Sequence, residues 1–220
     1  MSSVRRTRPS PDEVPGAEQF LPPRHSLPAL REAVQACRGC SLYQGATQAV
    51  FGEGSNTAHV MMIGEQPADV EDRAGRPFVG PAGRLLDEAL ASAGIVREQV
   101  YVTNAVKHFK YTQRGKRRIH ARPTRYEVAA CSRWLDAELE ELAPEIVVLL
   151  GATAAQALLG ARFRVTRSRG IPLETDLARW TFATVHPSSV LRAGADDARR
   201  EARRRFFEDI AVVGACLRDL

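Results

Sequence analysis

The order of hydrophobic and polar positions divides this chain into short apolar runs and longer stretches in which apolar residues recur at helical spacing. The short runs predict buried strands, at 59–63, 99–104, 145–150 and 180–185. The helical spacing predicts amphipathic helices, at 27–36, 81–93, 125–142, 152–159 and 198–217. Thr124 and Glu127 match a capping box at the start of the third of these helices. Because strands and helices alternate, we expect an α/β fold with a parallel sheet and helices on both of its faces.

Residues 1–27 differ in composition from the rest of the chain. This segment holds five of the 13 prolines and has no periodic apolar face. Such a composition predicts a disordered or loosely docked tail. The remaining residues, 28–220, are enough for one domain with one well-filled core.

The most informative polar stretch lies between the first predicted strand and the helix that follows it. These seventeen residues, 64–80, read GEQPADVEDRAGRPFVG and are dense in glycine, proline and charge. The pattern predicts a loop at the carboxyl end of a strand, where ligands bind in α/β sheets. A loop of this length is usually functional or disordered, so we favour a functional loop over a solvated connector.

The cysteine spacing indicates a metal site. Cys37 and Cys40 form a C-x2-C pair that can reach one metal from a single turn, and Cys131 is the obvious third ligand. His108 and Cys216 remain as candidates for the fourth. We favour His108 because it follows a strand, whereas Cys216 lies in an apolar helical stripe where a lone cysteine is usually a small core residue. Three cysteines and one histidine suggest zinc by default.

A strongly basic segment at 109–125 carries seven Lys or Arg residues, two aromatic residues and no acidic residue. Cations interleaved with aromatic groups are typical of surfaces that bind a phosphate backbone with exposed bases. A solvated basic loop is the alternative. His120 lies in this segment, and neighbouring cations favour its neutral form, which is the nucleophilic form. His186 follows the fourth predicted strand and fits a loop-bracing or a catalytic role equally well.

Charge and hydropathy restrict the remaining possibilities. The net charge of +5 favours an anionic partner. The N-terminus has no apolar region typical of a secretory signal, and the longest apolar run, 146–161, is too short and too interrupted for a membrane helix. We therefore expect a cytoplasmic monomer with no membrane association and no structural disulfides.

Three motifs in this order carry a resemblance to a known family. They are G-E-x-P-x-x-x-E-D-x-x-G-x-P-F-V-G at 64–80, N-x-V-K at 104–107 and H-P-S-S at 186–189. Together they resemble the uracil-DNA glycosylase superfamily, and in particular its iron–sulfur family 4 enzymes. Residues 64–67, 116–120 and 186–189 further resemble the UdgX branch. The resemblance covers about residues 28–215. It implies a three-layer α/β/α sandwich on a four-stranded parallel sheet, and a [4Fe–4S] cluster instead of zinc, held by Cys37, Cys40, His108 and Cys131.

The resemblance also implies an activity, the excision of uracil from DNA, with single-stranded DNA as the expected substrate and free uracil as a product.

 
In the chemistry that the resemblance implies, Phe78 stacks on the extruded uracil and Asn104 pairs with its edge. Glu65 stabilises positive charge on the sugar, and His186 donates a hydrogen bond to uracil O2 as negative charge develops on the base. The UdgX resemblance implies that His120 attacks C1′ and leaves the abasic sugar covalently bound to the protein. The further residues assigned to the substrate are Gly64, Gln66, Asp69, Arg118 and Ser188, with Arg118 expected to position the basic segment on a phosphate.

Two positions depart from the family pattern, and three alternatives stay open. The family usually has glycine at the position of Ala68 and cysteine at the position of His108, so the shape of the turn at Ala68 is an open question. One alternative is a conventional glycosylase that uses water and turns over. Another is a non-catalytic protein that binds damaged or single-stranded DNA. A third is a zinc-stabilised nucleotide hydrolase.

Overall fold

The computed structural model describes residues 16–220, and its centre is a four-stranded parallel sheet. The strands are β1 (Val60–Gly64), β2 (Val100–Asn104), β5 (Ile146–Leu150) and β6 (Trp180–Thr184), and their order across the sheet is β2-β1-β5-β6. All three pairings are parallel. The strands are almost entirely buried, which explains their continuous apolar runs, because a parallel sheet is covered on both faces. The predicted sheet is confirmed.

Eight α-helices surround the sheet in the described part of the chain. They are α1 (Leu27–Ala33), α2 (Asp69–Ala74), α3 (Pro81–Ser92), α4 (Arg125–Leu142), α5 (Ala152–Leu159), α6 (Val165–Ser168), α7 (Pro187–Leu191) and α8 (Asp196–Arg218). The capping box predicted for α4 is present: Thr124 Oγ1 accepts the backbone N–H of Glu127 at 3.2 Å, and the Glu127 carboxylate accepts the backbone N–H of Thr124 at 2.6 Å.

Two apolar clusters lie on opposite faces of the sheet and make the fold a three-layer sandwich, as predicted. Residues of α1, α4 and α5 pack on one face, together with Met61 and Ile63 of β1. Residues of α3, α7 and α8 pack on the other face, together with Val60 and Met62. Successive side chains of a strand point to opposite faces, so the alternation along β1 feeds both clusters.

A β-hairpin within the basic segment was not expected from the sequence. Strands β3 (Tyr111–Arg114) and β4 (Arg117–His120) pair antiparallel through a two-residue turn. Gly115 stands first in that turn with φ of 56°, a conformation that glycine adopts without strain. Most side chains of the hairpin are exposed, so it lacks the apolar alternation that reveals a strand.

The predicted N-terminal tail lies partly outside the described residues, which begin at residue 16. In the described part, Ala17–Phe20 forms a short 3₁₀ helix. Ala17 is fully buried in the same cluster as Trp134 of α4, and a carboxylate oxygen of Glu18 lies 3.4 Å from Arg133. This part of the segment is therefore packed on α4. None of the helices within residues 16–220 has the length and hydrophobicity needed to span a bilayer.

Candidate active site

Three predicted site residues meet at one edge of the sheet because they follow the carboxyl ends of parallel strands. Glu65 follows β1, Asn104 ends β2 and His186 lies two residues beyond β6. Residues Gly64 and Asn104 are direct neighbours in the register of β1 and β2. The chain after β2 stays attached to β1, since the backbone N–H of Val106 donates to the carbonyl of Glu65 at 3.0 Å. The edge thus holds an acid, an amide and an imidazole.

The hairpin brings a second imidazole to this edge. His120 ends β4, and its Nε2 lies 3.4 Å from Oε1 of Glu65. The other oxygen of Glu65, Oε2, accepts a hydrogen bond from the hydroxyl of Thr153. The His120 side chain is half exposed, whereas that of Glu65 is 22% exposed. A histidine from the basic segment and the carboxylate of the long loop therefore face each other, open to a ligand.

Both histidines are held in their neutral form. Partial burial lowers the pKa of His120, Arg192 lowers it further, and the Glu65 carboxylate acts in the opposite direction. Burial is thus the main cause, and the cation that contributes, Arg192, lies outside the basic segment to which the sequence analysis attributed the effect. For His186, burial lowers the pKa to about 4, with further contributions from Arg192 and His120. Neutral imidazoles can act as nucleophiles or as single hydrogen-bond donors.

The hydrogen bonds of His186 define its tautomer. Its Nδ1 accepts the backbone N–H of Ser188 at 3.2 Å and lies 2.8 Å from the Ser188 hydroxyl, an arrangement that caps the N-terminus of α7. Because Nδ1 is the acceptor, the proton of the neutral ring must be on Nε2. His186 is therefore a neutral N–H donor, and Ser188 acts by orienting it.

Phe78 and Asn104 form the floor of the site. The Phe78 ring lies 6.0 Å from the His186 ring, with an angle of 29° between their planes. Phe78 has φ of 56°, an uncommon conformation for a bulky residue. The Asn104 side chain is buried, and its Nδ2 has no hydrogen-bond partner among the described residues. A Cβ at Gly64 would lie 2.4 Å from the Asn104 oxygen, so only glycine fits beneath this amide.

A buried lysine fixes the strand end that carries Asn104. The Nζ of Lys107 donates to the backbone carbonyl of Asn104 at 2.8 Å and to the Thr103 hydroxyl at 2.7 Å. It also pairs with the carboxylate of Glu138, which accepts the Tyr101 hydroxyl at 2.9 Å. A buried charge is tolerated when it is paired and hydrogen-bonded in this way. The lysine of the N-x-V-K motif therefore has a structural reason to follow Asn104.

Gln66 joins the long loop to both ends of the hairpin. Its side-chain nitrogen donates to the carbonyls of Lys110 and Ala121, each at 3.1 Å, and its oxygen accepts the N–H of Lys110 at 3.0 Å. Lys110 immediately precedes β3 and Ala121 immediately follows β4. The side chain expected to bind substrate is thus used to hold the hairpin that carries His120.

Arg118 provides a second attachment of the hairpin. Its guanidinium is bound by the carboxylates of Asp69 and Asp72 on α2, with an Nη1–Oδ2 distance of 2.7 Å to Asp72. It also lies over the rings of Phe109 and Tyr111. The sequence analysis expected Arg118 on a DNA phosphate. In the structure its partners are protein carboxylates instead, because α2, which the loop prediction missed, brings two acids beside the hairpin.

The turn at Ala68 is unstrained. Ala68 has φ of −87° and precedes α2 in extended conformation, so the alanine at this position needs no glycine conformation. Its backbone N–H donates to the Glu71 carboxylate at 2.9 Å. Burial raises the pKa of Glu71, while backbone hydrogen bonds from Ala68, Gly80 and Phe78 act in the opposite direction. Glu71 therefore braces the loop from inside.

Three of the four predicted metal ligands lie on the same face of the sheet. Cys37, Cys40 and Cys131 belong to or border one apolar cluster, whereas Cys216 packs on the opposite face of the sheet and cannot join them. Burial raises the pKa of Cys131 to about 12, and the neighbouring Cys40 and Cys37 contribute to the rise. The thiols therefore lie close enough to interact electrostatically.

The surroundings of these cysteines suit ligated sulfur. The Cys131 sulfur accepts the backbone N–H of Lys107 at 3.3 Å, and the Cys37 sulfur accepts the indole N–H of Trp134 at 3.2 Å. His108 is buried, and burial lowers its pKa to about 4, so its ring is neutral, the form that binds metals. No group of three or more His, Cys, Asp or Glu side chains within residues 16–220 is arranged to hold a single metal ion. The donor types fit a larger group, whose ligands are spread further apart.

Some site residues escaped the sequence analysis. Two of them, Thr153 and Arg122, contact each other beside Glu65. The others hold the loop, the hairpin and the end of β2 in place: Glu71, Asp72 and Lys107. Thr153 lies just after β5, at the same sheet edge as the predicted residues, and this position was the available signal. Glu71 and Asp72 belong to the loop motif at 64–80, but the motif does not show which groups they bind.

Comparison with known proteins identifies a family. A model described as the uracil DNA glycosylase superfamily matches residues 51–211. A type-4 uracil-DNA glycosylase of Thermotoga maritima is 39% identical over 180 residues, which cover 81% of this chain and 88% of that protein. Another from Archaeoglobus fulgidus is 35% identical over 198 residues, covering 86% of this chain and 92% of that protein. A type-5 uracil-DNA glycosylase of Pyrobaculum aerophilum is 33% identical over 178 residues, covering 66% and 74%.

Proposed function

This chain belongs to the uracil-DNA glycosylase superfamily, and from this premise we propose that it excises uracil from DNA and becomes covalently linked through His120 to C1′ of the abasic sugar. The type-4 relatives support the excision of uracil. The link through His120 is the feature of the UdgX branch. The observation that carries it is the 3.4 Å contact between His120 Nε2 and Glu65 Oε1.

Recognition of the base rests on Phe78 and Asn104. The enzyme must take the uracil out of the base stack before it can reach the glycosidic bond. The Phe78 ring offers a surface for the extruded base, and the unpartnered Nδ2 of Asn104 offers a buried donor for the O4 carbonyl of uracil. Cytosine has an amino group at that position, so it would leave the Asn104 donor facing another donor.

Cleavage of the glycosidic bond is assisted from both sides. The electron pair of the C1′–N1 bond leaves with the uracil, so negative charge grows on the base and positive charge on the sugar. The Nε2–H of neutral His186 donates to uracil O2 and stabilises the negative charge. The carboxylate of Glu65 stabilises the positive charge at C1′. The removal of one such donor typically costs about 10²–10³ in rate.

The capture step uses the same carboxylate. Neutral His120, with its proton on Nδ1, attacks C1′ through the lone pair of Nε2, and the Glu65 carboxylate stabilises the positive charge that develops on the ring. The proton then passes to the uracil anion, which leaves as free uracil. The sum of the steps exchanges the C1′–N1 bond and one N–H bond for a C1′–Nε2 bond and an N–H bond on uracil. Gln66 and Arg118 hold the hairpin so that His120 reaches this position.

Cys37, Cys40, His108 and Cys131 are the residues that we propose to hold a [4Fe–4S] cluster. With the group bound, these four residues would join the segment around Cys37, the chain after β2 and α4, which is a structural role. The exposed basic residues of the hairpin lie beside the site, where they suit the phosphates of single-stranded DNA. We further expect residues 28–220 to act as one catalytic domain in a monomeric protein.

A denaturing gel tests the covalent link. Labelled single-stranded DNA with one uracil is expected to convert to a slow, protein-bound band with the wild-type protein. His120→Ser is expected to release uracil and leave the DNA free, because serine at this position lacks the nucleophilic ring. His59→Ser changes an exposed histidine outside the site and serves as the matched control, which should still form the band.

The gel also separates the alternatives. Wild-type DNA that always migrates as free DNA while uracil accumulates over many turnovers would contradict the covalent link and indicate attack by water. Tight binding with no release of uracil would contradict the glycosylase activity itself.

A further inference from the structure

The two carboxylate oxygens of Glu65 have different partners. Oε1 faces Nε2 of His120, whereas Oε2 accepts the hydroxyl proton of Thr153. A carboxylate that is free to rotate about its terminal bond would present either oxygen, or neither, to the histidine. The contact with Thr153 therefore selects the orientation in which one oxygen remains for His120.

The direction of the hydrogen bond from Thr153 is fixed by a third residue. Nε of Arg122 donates to the Thr153 hydroxyl oxygen at 3.2 Å, and an Nη of Arg122 lies 3.5 Å from the side-chain oxygen of Gln156. A guanidinium can only donate. The Thr153 oxygen is thus an acceptor for Arg122, and its single proton is directed to Glu65.

Arg122 also belongs to the segment that carries the nucleophile. It follows His120 by two residues, and the intervening Ala121 has its carbonyl bound by Gln66. The hydrogen bonds run from Arg122 to Thr153 and on to Glu65, whose other oxygen faces His120 of the same segment. Docking of the end of the hairpin and orientation of the carboxylate are therefore connected through Thr153.

We propose that Thr153 is a positioning residue that orients Glu65 toward His120, and that Arg122 acts through Thr153 to couple this orientation to docking of the hairpin. The inference rests on the proposed covalent function. Stabilisation of the sugar cation needs a negative charge near C1′, which either orientation of Glu65 supplies. Stabilisation of the positive charge that develops on the His120 ring needs Oε1 at one position, beside Nε2. Loss of Thr153 or Arg122 should therefore slow capture more strongly than excision.

The test compares Thr153→Val, which removes the hydroxyl at nearly constant shape, with Thr153→Ser, which retains it. Enzyme in excess is mixed with labelled uracil-containing single-stranded DNA, and free uracil and the covalent band are followed separately. The rate of capture by Thr153→Val is expected to fall by roughly 10-fold to 100-fold, as for the loss of a hydrogen bond to a charged group. Uracil release should fall by a smaller factor, so the ratio of captured to excised DNA drops. Thr153→Ser should restore the ratio.

Arg122→Gln is expected to lower the same ratio, whereas Arg200→Gln, which changes an exposed arginine of α8 outside the basic segment, should leave it unchanged. Thermal denaturation of each variant checks that the fold is retained. A Thr153→Val protein that captures DNA in the wild-type ratio would overturn the inference and leave the proposed function intact. A wild-type protein that releases uracil with no covalent band would overturn the proposed function itself, so the two failures are distinguishable.

Discussion

At the residue scale, the site depends on two imidazoles in the same protonation state with different tasks. Nδ1 of His186 is occupied by the N–H of Ser188, which leaves Nε2–H as a donor for the base. His120 has its Nε2 beside the carboxylate of Glu65. In both rings a lowered pKa keeps the neutral form, which suits a hydrogen-bond donor at His186 and the proposed nucleophile at His120.

The rate of uracil release at acidic pH tests the protonation state of His186. Burial lowers the pKa of His186 to about 4, so the ring stays neutral above that pH and gains a proton below it. The gained proton would face the N–H of Ser188 and break the cap of α7. We expect the rate of uracil release to hold down to about pH 5 and to fall as pH approaches the lowered pKa. Single-turnover rates measured across this range provide the check. A decrease in rate centred near the ordinary histidine pKa of about 6.5 would contradict the expectation.

At the scale of elements, the hairpin β3–β4 is a separate two-stranded sheet that is held to the main sheet by side chains. Gln66 binds both of its ends, and Arg118 joins it to Asp69 and Asp72 of α2. Few of its own side chains are buried, so these polar attachments fix its position. Its docking can therefore be weakened without disturbing the core.

Arg118→Gln is predicted to loosen the hairpin and to impair capture. The change leaves the buried carboxylate of Asp72 without its cation, and the loss of such a charged hydrogen bond typically costs a factor of about 10 to 100. Covalent capture should fall by a factor of this size, while uracil release is less affected. Faster hydrogen exchange of residues 111–120 would accompany the loss. Arg200→Gln, which changes an exposed arginine of α8, is the control, and equal effects of the two variants would refute the role of Arg118.

At the scale of the whole molecule, the fold could be predicted because its strands are buried on both faces and appear as apolar runs. The strand ends then located Glu65, Asn104 and His186. The hairpin and α2 could not be predicted in this way, since one is polar on both faces and the other spans only Asp69–Ala74. The roles of Gln66 and Arg118 depend on those two elements, so their protein partners could not be predicted from the sequence.

The cysteine group allows a prediction about the stability of the whole domain. Cys131→Ser is expected to lower the iron and sulfide content, remove the visible absorbance of a [4Fe–4S] cluster and decrease the free energy of unfolding, because metal binding is coupled to folding. Cys216→Ser is the control, since Cys216 packs on the opposite face of the sheet. Elemental analysis and thermal denaturation of anaerobically purified protein give the result. Loss of absorbance in the Cys216 variant, or zinc in the wild-type protein, would contradict the proposed ligands.

The position of His120 in the connection after β2 has a consequence for how this chemistry can change. Glu65, Asn104 and His186 lie at or just after the ends of strands of the sheet, whereas His120, the proposed nucleophile, lies on a separate hairpin. A shorter connection could remove the nucleophile and leave the uracil pocket intact. Covalent attachment and ordinary hydrolysis would then be two outcomes of the same fold, and replacement of the hairpin alone would convert one into the other.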